Sequence, residues 1–226
     1  MRYILLFVLV FCFSCNNEKV IKLPEINHSE ITEINDISAA YLFYDKIQKD
    51  SVELNRKNLI STTNWLVNVD KRLTLKQAIP HIKFLQEKKK NAGHKNKNAK
   101  NYFTCHDTSK NDLGFVEFTD VVYNTINPKD FIVLSDIPFF SYTQIKFNSL
   151  EDINLLLIND NKHEKKTSLL DLHKDLNYLI IKENIAYEII LNFNKNLNFQ
   201  DYITIKSKLS ELNLENISIL NNEFIY

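Results

Sequence analysis

The chain has 226 residues, 44% of them hydrophobic and 25% charged, and its 28 Lys plus Arg balance 28 Asp plus Glu. That is globular composition with enough chain for one sizeable core or two small ones, and the zero net charge speaks against a nucleic-acid binder, which carries a basic excess. Gly93 and Gly114 are the whole glycine complement, too few for a G-x-G-x-x-G turn, a Walker loop or a G-x-S-x-G elbow, so the usual signatures of nucleotide binding and serine hydrolysis are excluded.

The chain opens "MRYILLFVLVFCFSCNNEK". Arg2 supplies a positive start, Ile4 to Phe13 is an apolar run, and Ser14 and Cys15 follow before a polar stretch. Crossing a bilayer takes roughly 20 apolar residues, so this run is too short to span and reads as a signal peptide over residues 1–14. The Ser14-Cys15 pair resembles the bacterial lipoprotein signal, with Cys12 and Phe13 as departures from its usual pattern. That resemblance implies an exported protein whose first mature residue, Cys15, carries lipid and anchors it to a membrane of the envelope, on the periplasmic side or at the cell surface. An ordinary signal peptide cut nearby, or a short uncleaved anchor, is the alternative. With Cys12 removed and Cys15 acylated, Cys105 is the one thiol left and no intrachain disulfide can form.

Residues 15–37 are polar and read as a tether. "AAYLFYD" and "SVELNRK" flank a polar turn as two strands of a hairpin, and "NWLVNVD" alternates Trp65, Val67 and Val69 against Leu66, Asn68 and Asp70 as a third. Thr74 with Gln77 forms a capping box, and Leu75, Ala78, Ile79, Ile82 and Leu85 keep helical spacing, with Pro80 inside the first turns. A basic insertion, residues 87–101, ends that helix, and strands "NYFTCHD" and "LGFVEFTDVVYN" follow. "INLLLIND" is a strand. Ser168 and Asp171 cap a helix with Leu169, Leu172, Leu176, Leu179 and Ile180 inward. "YEIILNFN" is a strand, Asn198 and Asp201 cap the next helix, Phe199, Tyr202, Ile203, Leu209 and Leu212 form its stripe, and "ENISIL" is a closing strand. The order predicts an α/β fold (an α+β sandwich) of two related βαβ-type units with helices packed on one face of a sheet, the first over residues 38–127 and the second over 128–226.

The two units share a register, residue 65 answering to residue 189. At this offset of 124 positions Asn68/Asn192, Lys71/Lys195, Leu73/Leu197, Ile79/Ile203 and Leu85/Leu209 are identical pairs, and the caps Thr74 and Asn198 coincide. The segment "YEIILNFNKNLNFQDYITIKSKLSELNLENISIL" resembles the periplasmic domain of ExbD/TolR proteins, which run strand, polar link, amphipathic helix, break, strand; Asn194-Lys195 and Asp70-Lys71 stand where that family tends to have Asp-Lys. The likeness covers about half of the chain. It departs from the family at the N-terminus, where the apolar run is short and carries no acid, so a proton-motor role has no residue to rest on. What the resemblance implies is an envelope setting and a non-enzymatic binding or interaction module, its partner an envelope protein complex or cell-wall polymer. The alternative is a hydrolase-type envelope enzyme with a site assembled from distant residues.

Candidate chemistry is sparse. Cys105, His106 and Asp107 are consecutive on an expected strand, so neighbouring side chains point to opposite faces and cannot act as nucleophile and base. The six histidines show no H-x-x-x-H or H-E-x-x-H spacing, and the one C-x-x-C, Cys12 to Cys15, falls at the end of the expected signal peptide, so neither a metal nor any other cofactor is expected. His163-Glu164 reads as part of a polar loop, and Asp136-Ile137-Pro138 with Phe139 and Phe140 as a strand end and turn. Candidate binding residues are the two corners Asp70-Lys71 and Asn194-Lys195, which end equivalent strands and could share a groove, and the basic tract Lys88, Lys89, Lys90, His94, Lys95 and Lys97, suited to anionic headgroups or wall carboxylates.

Overall fold

The computed structural model describes residues 19–134, 142–157, 163–183, 187–212 and 217–226; the expected signal peptide, Cys15 and the turn around Pro138 lie outside the described residues. The fold is α/β, with two mixed six-stranded sheets and four helices among the described residues. The first sheet takes β1 (Glu25–Ile26), β2 (Ile37–Tyr44), β3 (Val52–Asn55), β4 (Asn64–Val69), β5 (Asn101–Asp107) and β6 (Asp112–Glu117), with α1 (Leu75–Lys90) crossing between β4 and β5. Its order is β1-β5-β4-β2-β3, with β6 also paired to β5. After β7 (Val122–Asn124) and α2 (Pro128–Leu134) come β8 (Tyr142–Phe147), β9 (Ile153–Leu157), β10 (His163–Thr167), α3 (Leu172–Glu183), β11 (Tyr187–Phe193), α4 (Phe199–Ser210) and β12 (Ile217–Ile225). The second sheet runs β10-β9-β8-β11-β12-β7.

Each sheet contains the same kernel: an antiparallel hairpin (β2–β3, β8–β9) whose first strand lies parallel to a central strand (β4, β11), which a capped helix connects to a further parallel strand (β5, β12). The central strands are buried on both faces because both are covered, which is why β4 reads as nearly continuous apolar sequence. Helix α1 begins where expected. The Gln77 side chain accepts the Thr74 N–H at 2.9 Å, and Leu75, Ala78, Ile79, Ile82 and Leu85 are its buried face. Helix α4 begins with the Asn198 carboxamide oxygen accepting the Asp201 N–H at 2.7 Å.

The two kernels meet through their own repeat. Thr74 and Asn198, which correspond at the offset of 124, form an antiparallel bridge with each other. Around it the hydrogen bonds come in exchanged pairs. Leu75 N–H donates to Leu197 O at 2.9 Å and Phe199 N–H to Leu73 O at 2.7 Å; Lys76 N–H donates to Lys195 O at 2.8 Å and Gln200 N–H to Lys71 O at 3.3 Å. Such reciprocity defines a local pseudo-two-fold axis through the bridge, the isologous logic of a homodimer written into one chain. The repeat seen in the sequence is therefore also the joint. One hydrophobic core runs across both units, from Val67, Leu73 and Ile82 to Phe147, Leu191 and Tyr202. Phe103 of β5 stacks on Phe118 at 3.8 Å and meets the rings of Phe199 and Tyr202 on α4 edge-on at 5.1 and 6.3 Å. Full burial of one such side chain contributes about 1.5–3 kcal/mol.

Several expectations need correcting. The stretch read as a tether is docked over residues 22–31. Here β1 pairs in parallel with His106 and Asp107, Ile26 is buried, and Ile31 and Ile34 cover Leu66, Tyr102 and Phe115 on the outer face of the first sheet. The division at residue 127 does not follow the sheets, because β7 leaves the first unit and pairs with Asn222–Phe224 of β12 in the second. Helix α1 continues through Lys90, so residues 87–90 are its last turn rather than insertion. His163 and Glu164 lie on β10, paired with Leu157 and Leu156. The sequence reading also missed β8 and α2; α2 covers the outer face of the second sheet, Phe131 meeting Phe224 edge-on at 5.3 Å.

Candidate functional site

The two corner motifs occupy equivalent positions and do different work. Asp70 is fully buried at the end of β4. Its carboxylate accepts Arg72 Nε at 2.8 Å, a terminal Arg72 nitrogen at 2.7 Å, the Arg72 N–H at 3.1 Å and the Lys22 N–H at 3.2 Å. Burial works against its charge, but the Arg72 fork and the backbone donors outweigh it and hold the carboxyl below its ordinary value. Arg72 in turn lies over the Tyr44 ring at 4.7 Å. Asp70 is thus a sealed structural corner and cannot receive a ligand. Asn194, its counterpart, accepts the Asn196 N–H at 2.9 Å, the same local turn that Asp70 makes with Arg72. A groove along the start of α1 is lined by Lys195 and not by Asp70, Lys71 or Asn194.

The lysines that follow them diverge. Lys71 Nζ is held by Glu25 at 2.5 Å, and that ion pair draws the Glu25 carboxyl below its usual range. Lys195 is exposed and its ammonium has no ion-pair partner among the described residues. The reason lies in what each unit places beside its corner. Lys71 N–H donates to Lys22 O at 2.7 Å, as Lys195 N–H donates to Tyr226 O at 2.9 Å, so Lys22 fills in the first unit the place of Tyr226 in the second. Beyond Lys22 the chain runs through Pro24 into β1 and lies across the start of α4. There the Gln200 carboxamide grips Glu25 by its backbone, accepting its N–H at 2.8 Å and donating to its carbonyl at 2.8 Å.

The corresponding place in the second unit, beside Lys195 and Tyr226, is a cavity. It is a groove of about 620 Å³ along the start of α1, with Ile79, Pro80 and Phe84 on its helical wall, Ile225 and Tyr226 opposite, and Lys195 at its mouth. Lys76, the counterpart of Gln200, lines it too, as does Lys83. Phe84 is 42% exposed, under the Arg56 guanidinium at 4.8 Å. Its position off the buried stripe of α1 was the signal a sequence reading could have used.

No family model, curated protein or solved structure matches the chain.

The basic tract divides in three. Lys88, Lys89 and Lys90 form the last turn of α1, where cations favourably meet the carbonyl end of the helix. Lys89 is half-buried, lies 5.2 Å over the Trp65 ring and donates to Lys100 O at 2.8 Å and Asn101 Oδ1 at 2.9 Å; burial pushes its amine down to about 8. It is a structural strut. Lys95 and Lys97 are exposed and, with Lys90 and Lys83, line a second cavity of about 530 Å³. Lys83 and Glu87 border both this cavity and the groove, which gives the groove a cationic flank. His94 is exposed, and its carbonyl accepts the Ser61 hydroxyl at 2.9 Å.

Cys105 is fully buried and its thiol is pushed up to about 12 by that burial, so it behaves as a small apolar side chain. Asp107 accepts the Ser109 hydroxyl at 2.7 Å and the Ser29, Ser109 and Lys110 N–H groups at 2.8, 2.9 and 3.2 Å. These bonds, the Ser109 hydroxyl foremost, lower its carboxyl to about 2. A third cavity, of about 390 Å³, lies between residues 28–31 and α4 and touches Glu223 and Lys206. Those two pair at 2.5 Å, and Glu223 also accepts the Tyr202 hydroxyl at 2.8 Å. Among the described residues no group of three or more His, Cys, Asp or Glu side chains could hold a metal ion.

Proposed function

We propose that the protein is an exported lipoprotein, anchored through Cys15, that serves as a non-enzymatic interaction module of the bacterial envelope. The observation that carries the reading is the open groove along α1, whose pseudo-two-fold mate is filled by a strand of the chain itself. A cleft of this size with an apolar wall and unpaired ammonium groups at its mouth has the make-up of a binding site. The positive start, apolar run and Ser14-Cys15 pair support the anchor. The strand–helix–strand order of β11, α4 and β12 is also the order that the likeness to ExbD/TolR periplasmic domains implies.

Fractionation of cells producing the wild type and the Cys15→Ala protein tests the anchor. The wild type should sediment with membranes and the variant should be released. A variant that stays with the membranes overturns the lipoprotein reading. A photocrosslinking side chain at position 84 tests the module: a discrete adduct that is absent with the same group at exposed Tyr178 of α3 supports it, and identical patterns from the two positions refute it.

A further inference from the structure

We infer that the groove along α1 takes an extended, acidic-apolar peptide segment of a partner protein, laid against Lys195 and Lys76 as Leu23–Ile26 is laid against Lys71 and Gln200. This rests on the reading of the protein as an interaction module and names the chemistry of what it binds.

The pseudo-two-fold axis supplies the template. In the filled groove an extended segment enters beside the end of the central strand, its glutamate meets the corner lysine, and its backbone is gripped from the first turn of the helix. In the open groove the corner lysine is Lys195 and the first-turn residue is Lys76. Both ammonium groups lack an ion-pair partner among the described residues. The exchange of Gln200 for Lys76 changes what can be recognised. A carboxamide accepts one hydrogen bond and donates another, so it suits a backbone N–H and C=O together; an ammonium only donates. Lys76 therefore suits a carbonyl or a second carboxylate, and the open groove is the more acid-seeking of the two. Lys83 on the same wall adds to that field, against the single acid Glu87.

The apolar requirement comes from Phe84 and Pro80. Their counterparts on α4 are Lys208 and Thr204, both polar, and the filled groove presents no large exposed apolar side chain on that wall. Phe84 remains 42% exposed, which an aliphatic side chain of the entering segment would cover. An extended segment held by one carboxylate and one aliphatic anchor matches the lysines and the apolar wall of the groove. The groove is unsuited to a nucleic-acid strand, because its aromatic and aliphatic wall offers one exposed ring rather than a succession of stacking platforms.

The test uses the whole protein and a blocked, fluorescently labelled heptapeptide of the sequence of residues 22–28, KLPEINH, followed by anisotropy. Saturable binding is expected, weakened at least fivefold by Lys195→Glu in the protein or by Glu→Gln in the peptide. Lys174→Glu, an exposed change on α3, should leave it as it is. A Glu→Lys peptide should bind the Lys195→Glu protein better than it binds the wild type. Amide exchange with peptide bound should slow at residues 76–84 and not at 200–208. Absence of saturable binding, equal loss with Lys195→Glu and Lys174→Glu, failure of the charge swap, or protection centred on α4 each overturns the inference. None of these outcomes alters the fractionation of the Cys15→Ala protein, so the anchor stands or falls separately. A peptide that fails while position 84 still gives a discrete adduct removes the acidic-apolar chemistry and leaves the interaction module in place.

Discussion

Tyr202 ties the two units together by a hydroxyl as well as by a ring, and its removal gives a worked test of the buried polar chain. Tyr123 on β7, Tyr202 on α4 and Glu223 on β12 form a line in which the two phenols lie 3.1 Å apart, Tyr202 donates to Glu223 at 2.8 Å, and Lys206 donates to the same carboxylate at 2.5 Å. All but Lys206 are at most 2% exposed. Burial and the neighbouring carboxylate push both tyrosine hydroxyls well above their ordinary values, so each remains a neutral donor. Tyr123→Phe removes a terminal donor and leaves Tyr202 bonded to Glu223, a loss of about 1 kcal/mol. Tyr202→Phe removes a charge-assisted bond and strands the Tyr123 hydroxyl in the core, a loss of about 3 kcal/mol. The double variant strands no hydroxyl and leaves Glu223 with the Lys206 ammonium on its other oxygen. It should cost about 3 kcal/mol, roughly 1 kcal/mol less than the sum of the single losses. Urea unfolding at neutral pH measures all four proteins, with unchanged m-values as the check that the comparison holds. Strict additivity, or a Tyr202→Phe loss no larger than that of Tyr123→Phe, would refute the described chain of donors.

Two further outcomes concern the docked N-terminal segment. Asp107 binds the Ser29 N–H and has a carboxyl lowered to about 2, against roughly 3.9 unfolded, so its contribution is full above the unfolded value and fades as pH falls through the folded one. The stability gap between wild type and Asp107→Asn should therefore be widest above about pH 5 and shrink towards pH 2; a gap that is flat with pH excludes this linkage. A Cβ on Gly114 would lie 2.6 Å from Ser29 Cβ and 3.1 Å from Ile26 Cδ1, whereas one on Gly93 meets nothing within 4 Å. Gly114→Ala should cost about 1–3 kcal/mol, with amide protection lost first at residues 26–31. Gly93→Ala should be close to neutral, and equal effects at the two glycines would contradict the packing.

Much of the scaffold was legible because local chemistry and burial agree there. The caps Thr74 and Asn198 and the inward faces of α1 and α4 follow from hydroxyl or carboxamide placement and a 3.6-residue apolar period. The strand β8 was not, since "YTQIKF" mixes polar and apolar residues and its place beside β11 is what buries Ile145 and Phe147. The docking of residues 22–31 was hidden for a related reason. Their polar composition is that of a free tether, yet backbone pairing with β5 and the Asp107 carboxylate hold them. Of the corner residues named as candidates, Lys195 lines the groove, whereas Asp70 is held by an Arg72 fork that only the fold reveals. The groove itself brings residues of α1 beside Lys195, Ile225 and Tyr226, a meeting that no local window of sequence carries.

The docked segment also sets a distance. Lys19 already makes ion pairs with Asp45 and Glu53 of the first unit, and Lys22 completes its central strand. Under the lipid-anchor proposal, the acylated Cys15 stands four positions before Lys19, a chain length of about 14 Å at full extension. Under that proposal a leash so short would hold the first unit against the headgroups and restrict its tumbling. A partner's segment would therefore have to come to the membrane surface, where the effective concentration of any co-anchored protein is high enough for a weak groove to be occupied.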